Sequence, residues 1–85
     1  ALPIFYLGKD PKHANIVFSN DYKNVSRLHC SVTFDEKTNK YYVVDCSSNG
    51  TFLENKKRLV KGQRTVVDAN TLLSLANEDC LVRLK

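Results

Sequence analysis

The sequence predicts an all-β fold, a two-sheet sandwich of short antiparallel-type strands with loops gathered at its two ends. Three observations carry this prediction. Short apolar or alternating runs recur roughly every 8 to 12 residues. Turn-forming clusters such as "GKDP", "SNDYKN", "DEKTNK", "SSNG", "KGQ", "DAN" and "ANED" separate them. No window of helical length places apolar residues at i, i+3, i+4 and i+7. Many short strands joined by tight turns bury their apolar faces against a second sheet, and a partly open barrel is the alternative arrangement.

In chain order the runs are Pro3 to Leu7, Ile16 to Phe18, His29 to Phe34, Tyr41 to Asp45, Thr51 to Leu53, Lys57 to Val60, Thr65 to Val67, Thr71 to Leu75 and Cys80 to Leu84. The first ends at Gly8-Lys9, where a glycine lets the backbone approach a neighbour and a cation stands beside it. In "HCSVTF" the period is two, so Cys30, Val32 and Phe34 face the core while His29, Ser31 and Thr33 face away. Tyr41 and Tyr42 open a run that reads as half core. The next run follows Asn49-Gly50, a dipeptide that takes positive φ cheaply, and on the dipeptide alone a simple hairpin turn is the plain reading. The remaining runs are bounded by Gly62, by Ala69-Asn70 and by the polar stretch after Leu75. No internal repeat, low-complexity tract or linker interrupts the series.

The chain has 85 residues, room for one domain whose core must be compact, since a chain of this size buries only ~60 to 65% of its unfolded surface. With 42% hydrophobic and 26% charged residues the composition is that of a globular protein rather than a disordered or fibrous one. Thirteen Lys and Arg against nine Asp and Glu leave a net charge of +4, which favours anionic partners without choosing among phosphate groups, acidic peptides and nucleic acid. No apolar run is long enough to span a bilayer, no signal-peptide pattern opens the chain, and from the absence of Met an excerpt of a longer protein is expected. Cys30, Cys46 and Cys80 are odd in number and lack CxxC spacing, so they are expected as free thiols, small core hydrophobes in a reducing, intracellular compartment. The sequons at Asn24 and Asn49 are then chance matches.

Two polar stretches stand at the mouths of runs. In "NVSRLHC", Asn24, Ser26 and Arg27 offer amide, hydroxyl and guanidinium donors within four positions. In "DCSSNGTF", Ser47, Ser48 and Asn49 share a turn with Gly50.

At these residues the chain resembles the forkhead-associated (FHA) family. The resemblance covers nearly the whole sequence: Gly8-Lys9 at a strand end, Ser26 and His29 as Ser-x-x-His, then "DCSSNGTFLENKKRL" as the Asp-x-x-Ser-x-Asn-Gly-Thr element with its following hairpin. It implies a single FHA-like domain over residues 1–85, a sandwich of about eleven strands lacking some N-terminal strand material, and binding of phosphothreonine in partner proteins, as a signalling or regulatory adaptor. By the same resemblance Lys9 and Ser26 bind phosphate oxygens, Arg27 and Ser48 add donors, and Asn49 holds the peptide backbone. Gly8, His29 and Gly50 support the site, and a small apolar niche beside Asn49 takes the threonine methyl group. A dianionic phosphate presents three strong acceptors, which suits this donor set. One position departs from the family: Gly-Arg is usual where this chain has Gly8-Lys9, replacing a planar fork by a point charge. Arg27 and Lys23 are the other cations at hand, and a domain that keeps only a phosphate-independent protein-interaction role is the alternative.

Other chemistries find less support. Ser26, His29 and Asp45 would form a hydrolytic triad only with a nucleophile elbow or oxyanion motif, which the sequence lacks, so no enzyme is expected. A zinc site from His29, Cys30, Cys46 and Cys80 lacks ligand spacing, and no metal or cofactor is expected. Lys56, Lys57, Arg58, Lys61 and Arg64 make nucleic acid the competing partner, but no stacking aromatics interleave them. Peptide preference is expected to reside in the loops "NDYKNV" and "LANEDC".

Overall fold

The computed structural model describes residues 4–77 and 80–85. Pro3, which opens the first predicted run, and Glu78-Asp79, in the last predicted turn, lie outside the described residues. Eight strands follow one another without a helix among the described residues: β1 (Ile4–Gly8), β2 (Ile16–Val17), β3 (Cys30–Asp35), β4 (Lys40–Asp45), β5 (Thr51–Phe52), β6 (Arg64–Asp68), β7 (Leu72–Leu75) and β8 (Leu81–Arg83). They form a five-stranded sheet in the order β2-β1-β3-β4-β6 and a three-stranded sheet in the order β5-β7-β8.

The alternation read from the sequence sets which residues meet between the sheets. In the register Phe5↔Val32↔Val43↔Thr65 and Leu7↔Cys30↔Asp45, the apolar members point at the second sheet. Leu7, Cys30, Val32, Val43 and Val67 pack there against Leu73, Leu75, Cys80 and Leu84, with Leu59 and Val25 supplied by loops. Each such side chain contributes about 1.5 to 3 kcal/mol on full burial, so this cluster is the main favourable term of the fold. Phe34 lies half-buried on the same face, with its ring 4.8 Å from that of Tyr41.

Several expectations are corrected. Eight strands stand among the described residues instead of about eleven, and one neighbouring pair, β1 with β2, is parallel. The run Lys57 to Val60 makes only a single bridge, Arg58 with Phe52, because the turn at Lys56 (φ 67°) leaves it two backbone bonds to Thr51 and Leu53. The Asn49-Gly50 turn is no hairpin: the strands on either side belong to different sheets, and Gly50 alone takes positive φ, at 96°. His29, expected to face away with Ser31 and Thr33, is fully buried, because loops from both sheets close over the end of the sandwich where it stands. Cys30 and Cys80 are buried as expected, and burial, then the Asp45 carboxylate, pushes the Cys30 thiol up to about 12. Cys46 is exposed, since the alternation that turns Val43 and Asp45 inward points the next residue outward.

Candidate functional site

The polar end of the sandwich is built on one buried carboxylate. Asp45 ends β4, and its Oδ1 accepts from the Ser47 amide at 3.0 Å, the Ser47 hydroxyl at 2.6 Å and the Thr51 hydroxyl at 3.0 Å. The bond to the amide two residues on is the Asx-turn that aspartate favours. Ser47 Oγ in turn accepts from the Gly50 amide at 2.8 Å, and the segment from 47 to 51 is tied at both ends to the Asp45 side chain of the larger sheet. Oδ2 of Asp45 is buried without a hydrogen-bond partner, the unbalanced cost of this anchor.

His29 joins this turn to the loop before β3. Its Nδ1 accepts from the Ser26 amide at 3.1 Å, and Nε2 donates to the Gly50 carbonyl at 2.8 Å. A backbone amide can only donate and a carbonyl only accept, so these partners select the neutral tautomer with the proton on Nε2. Burial lowers the imidazole pKa below its ordinary 6.5, outweighing the Gly50 bond and the Asp45 charge, which act the other way. The Gly50 carbonyl also accepts from the Ala76 amide at 2.8 Å, carrying the connection into β7.

Gly8 closes the arrangement from the β1 side. A Cβ there would lie 2.0 Å from the backbone oxygen of Arg27, so only glycine lets β1 run this close to the loop. Beyond it the Lys9 and Asp10 amides donate to the Ser26 and Arg27 carbonyls, each at 3.2 Å.

On this frame the predicted residues fall as follows. Ser26 Oγ accepts from the Ser48 amide at 3.3 Å, joining two loops 22 positions apart. Asn49 Nδ2 donates to the Asn24 carbonyl at 2.8 Å, and its other N–H and its side-chain carbonyl have no hydrogen-bond partner among the described residues. Lys9 Nζ donates to the Lys23 carbonyl at 3.4 Å and so leans over the same loop. Arg27 is exposed and lies within electrostatic reach of Asp10. The Asp10 carboxyl is held below its ordinary range chiefly by the Lys12 amide and His13, and in smaller part by Arg27. Thus Lys9, Ser26, Ser48 and Asn49 converge, while Arg27 stands at the rim beside the β1–β2 turn. Next to them a cleft of about 430 Å³ is lined by Ser19, Asp21, Tyr22, Lys23, Asn24 and Val25, with Asn77 from the other loop expected to set peptide preference.

Two contributors were not read from the sequence. Asp45 as the anchor was legible in principle, since Asp-x-Ser before Asn-Gly is an Asx-turn signal. In the sequence Arg58 is one of five basic residues between 56 and 64, with no local signal that sets it apart. It lies against the turn, with Nη2 3.5 Å from the Ser48 carbonyl and its guanidinium 6.0 Å from the Phe52 ring centroid.

A β-sandwich whose loop end gathers hydroxyl, amide and ammonium donors defines the class of protein. The chain belongs to the FHA domain family, whose model matches residues 5–76. Over 53 residues it is 49% identical to the sarcolemmal membrane-associated protein of Mus musculus and, equally, of Homo sapiens. That match takes in 61% of this chain and 6% of each relative, so the chain spans a small part of the proteins it resembles. Among solved structures, the MEK1 FHA domain in complex with a phosphothreonine peptide of HOP1 superposes with TM-score 0.71 at 28% identity, covering 87% of this chain and 74% of that one. The N-terminal FHA domain of S. cerevisiae Rad53p, also in complex with a phosphothreonine peptide, superposes with TM-score 0.72 at 18% identity, covering 93% and 62%, a likeness of fold.

Proposed function

We propose that this domain binds phosphothreonine in partner proteins and serves as a non-catalytic, intracellular adaptor. The observation that carries the reading is the Ser26–Ser48 contact at 3.3 Å with the Lys9 ammonium over the same loop. With Asn49 bonded to the Asn24 carbonyl, it brings Ser26, Ser48, a side-chain amide and a cation to one loop end, residue types matched to a phosphate dianion. The MEK1 FHA domain, 28% identical, has been solved with a phosphothreonine peptide, which supports the same ligand class here. In this reading Ser26, Lys9 and Ser48 hold the phosphate, Arg27 reaches it from the rim, and Asn49 holds the peptide main chain. The cleft between the 20–25 loop and Asn77 takes a neighbouring side chain. Three free cysteines, two of them buried, suit a reducing compartment.

A calorimetric titration with matched phosphothreonine, phosphoserine and unphosphorylated peptides tests it. Phosphothreonine is expected to bind several-fold more tightly than phosphoserine, because one buried methyl group contributes ~0.8 kcal/mol, and the unphosphorylated peptide not to bind. Ser26→Ala and Asn49→Ala are expected to abolish binding and leave the fold intact, both side chains lying outside the core. Equal binding with and without phosphate would make the domain a phosphate-independent interaction module. Oligonucleotide binding with a steep salt dependence and no preference for phosphopeptide would make it a nucleic-acid binder.

A further inference from the structure

The turn from Cys46 to Gly50 has two edges, and only one belongs to the site above. The Ser48 amide faces Ser26, whereas the Ser48 carbonyl lies 3.5 Å from Arg58 Nη2. The Gly50 carbonyl faces His29, whereas a Cβ at Gly50 would lie 2.7 Å from Arg58 Nε. Arg58 therefore borders the turn on the side away from Ser26.

Lys61 stands at the root of the same turn. Its main chain pairs with that of Asp45 in an isolated parallel β-bridge, and the following Gly62 amide donates to the Asp45 carbonyl at 2.8 Å. Partial desolvation and then Asp45 raise the pKa of the Cys46 thiol, and the Lys61 ammonium opposes them. Neither Arg58 nor Lys61 forms an ion pair among the described residues. Glu54 accepts from the Leu72 amide at 3.1 Å, and Arg64 lies over the Tyr42 ring at 4.6 Å. Two exposed cations thus flank the turn, neither of them ion-paired among the described residues. Arg58 is already ordered by the Phe52 ring and the Ser48 carbonyl, so little entropy is lost when it takes a ligand.

We propose that Arg58 and Lys61 form a second anion subsite across the Cys46–Gly50 turn, taking an acidic side chain or a second phosphate from the peptide whose phosphothreonine lies at Ser26. The inference rests on the phosphothreonine reading and adds to it the ligand class: peptides with two anionic groups on opposite sides of one short turn. Arg supplies a planar fork and Lys a point charge, so both carboxylate and phosphate oxygens are served.

The test is a set of phosphothreonine peptides with otherwise neutral flanks, carrying a glutamate or a phosphoserine at each flanking position in turn, titrated at low salt. At one position the added charge is expected to tighten binding roughly threefold to tenfold, the range of one or two solvent-exposed charge contacts. Lys61→Gln and Arg58→Gln should each remove most of that gain, Arg58→Lys should keep part of it, and Lys61→Gln should leave the neutral-flanked phosphothreonine peptide binding as wild type does. A gain with glutamate identifies a carboxylate-tolerant subsite, and a gain with phosphoserine alone a phosphate subsite. The proposal is overturned if no position gives a gain, or if the gain survives both Gln variants. Should the neutral-flanked phosphothreonine peptide fail to bind at all, the proposed function fails. A glutamate-rich peptide followed by NMR at the Arg58 Nε–H and the Lys61 amide then decides the subsite, shifts there sustaining it and their absence rejecting it. An oligonucleotide that binds at these residues more tightly than any of the peptides would also overturn it.

Discussion

Lys9 is where this chain leaves the pattern of its family. Its ammonium donates to the Lys23 carbonyl at 3.4 Å, so the stem already points across the loop that holds Ser26. Because a guanidinium presents a pre-organised fork to phosphate and an ammonium a single mobile charge, Lys9→Arg is expected to tighten phosphopeptide binding by ~1 kcal/mol, and only with the phosphorylated peptide. Lys9→Ala should weaken binding by more than that and flatten its salt dependence, since one contact to a dianion is gone. Isothermal titration at two salt concentrations reads both effects. If both variants bind like wild type, residue 9 lies off the phosphate and the main cationic contacts are Arg27 and Lys23.

At the scale of elements, the site depends on two segments whose backbones come closer than side chains permit. Gly8 brings the end of β1 against the loop carrying Ser26 and Arg27, and Gly50 carries the turn from the larger sheet to the smaller. Gly8→Ala would set a methyl group 2.0 Å from the Arg27 carbonyl, a backbone atom that can retreat only by breaking the Lys9–Ser26 and Asp10–Arg27 bonds. The expected cost is about 2 kcal/mol or more, with phosphopeptide binding lost, and urea denaturation measures it. At Gly50 the added Cβ meets Arg58 Nε, on a flexible side chain, but φ of 96° strains any other residue. Gly50→Ala should therefore fold with a smaller loss and still bind poorly. A Gly8→Ala variant as stable as wild type would mean that β1 and the loop are not packed as described.

For the whole molecule, His29 joins Asp45 in tying one sheet to the other. It precedes β3 of the larger sheet, bonds the Gly50 carbonyl next to β5 of the smaller one, and is fully buried. His29→Ala would leave the Ser26 amide and the Gly50 carbonyl each short of a partner, so stability should fall by about 1 to 3 kcal/mol and binding with it. Its folded pKa lies below the ordinary 6.5, so the unfolded chain binds more protons between the two values and stability rises with pH there. Wild type should therefore be fully stable above the ordinary value and lose stability as pH falls from 6.5 through the lowered folded value, a slope absent from His29→Ala. Thermal melts across that window decide it. Equal slopes in the two proteins would show that His29 is not held neutral.

The sequence by itself determined the strand series and its facing. Period-two alternation in "HCSVTF" put Cys30, Val32 and Phe34 inward, and eight of the nine runs became strands within a residue or two of their predicted limits. It also located the polar loops, because Ser, Asn, Arg and Gly at strand mouths are a local signal. What it did not decide depends on pairing between distant segments. That the turn at Asn49 crosses between sheets, that Arg27 stands at the rim near Asp10, and that Arg58 borders the turn all follow from sheet order and register. His29 shows why. Alternation assigned it to the outer face, and within its own strand that is all a local rule can say. Its burial was decided by the Ser26 and Gly50 backbones closing over it from the two ends of separate loops, a choice made when the two sheets packed.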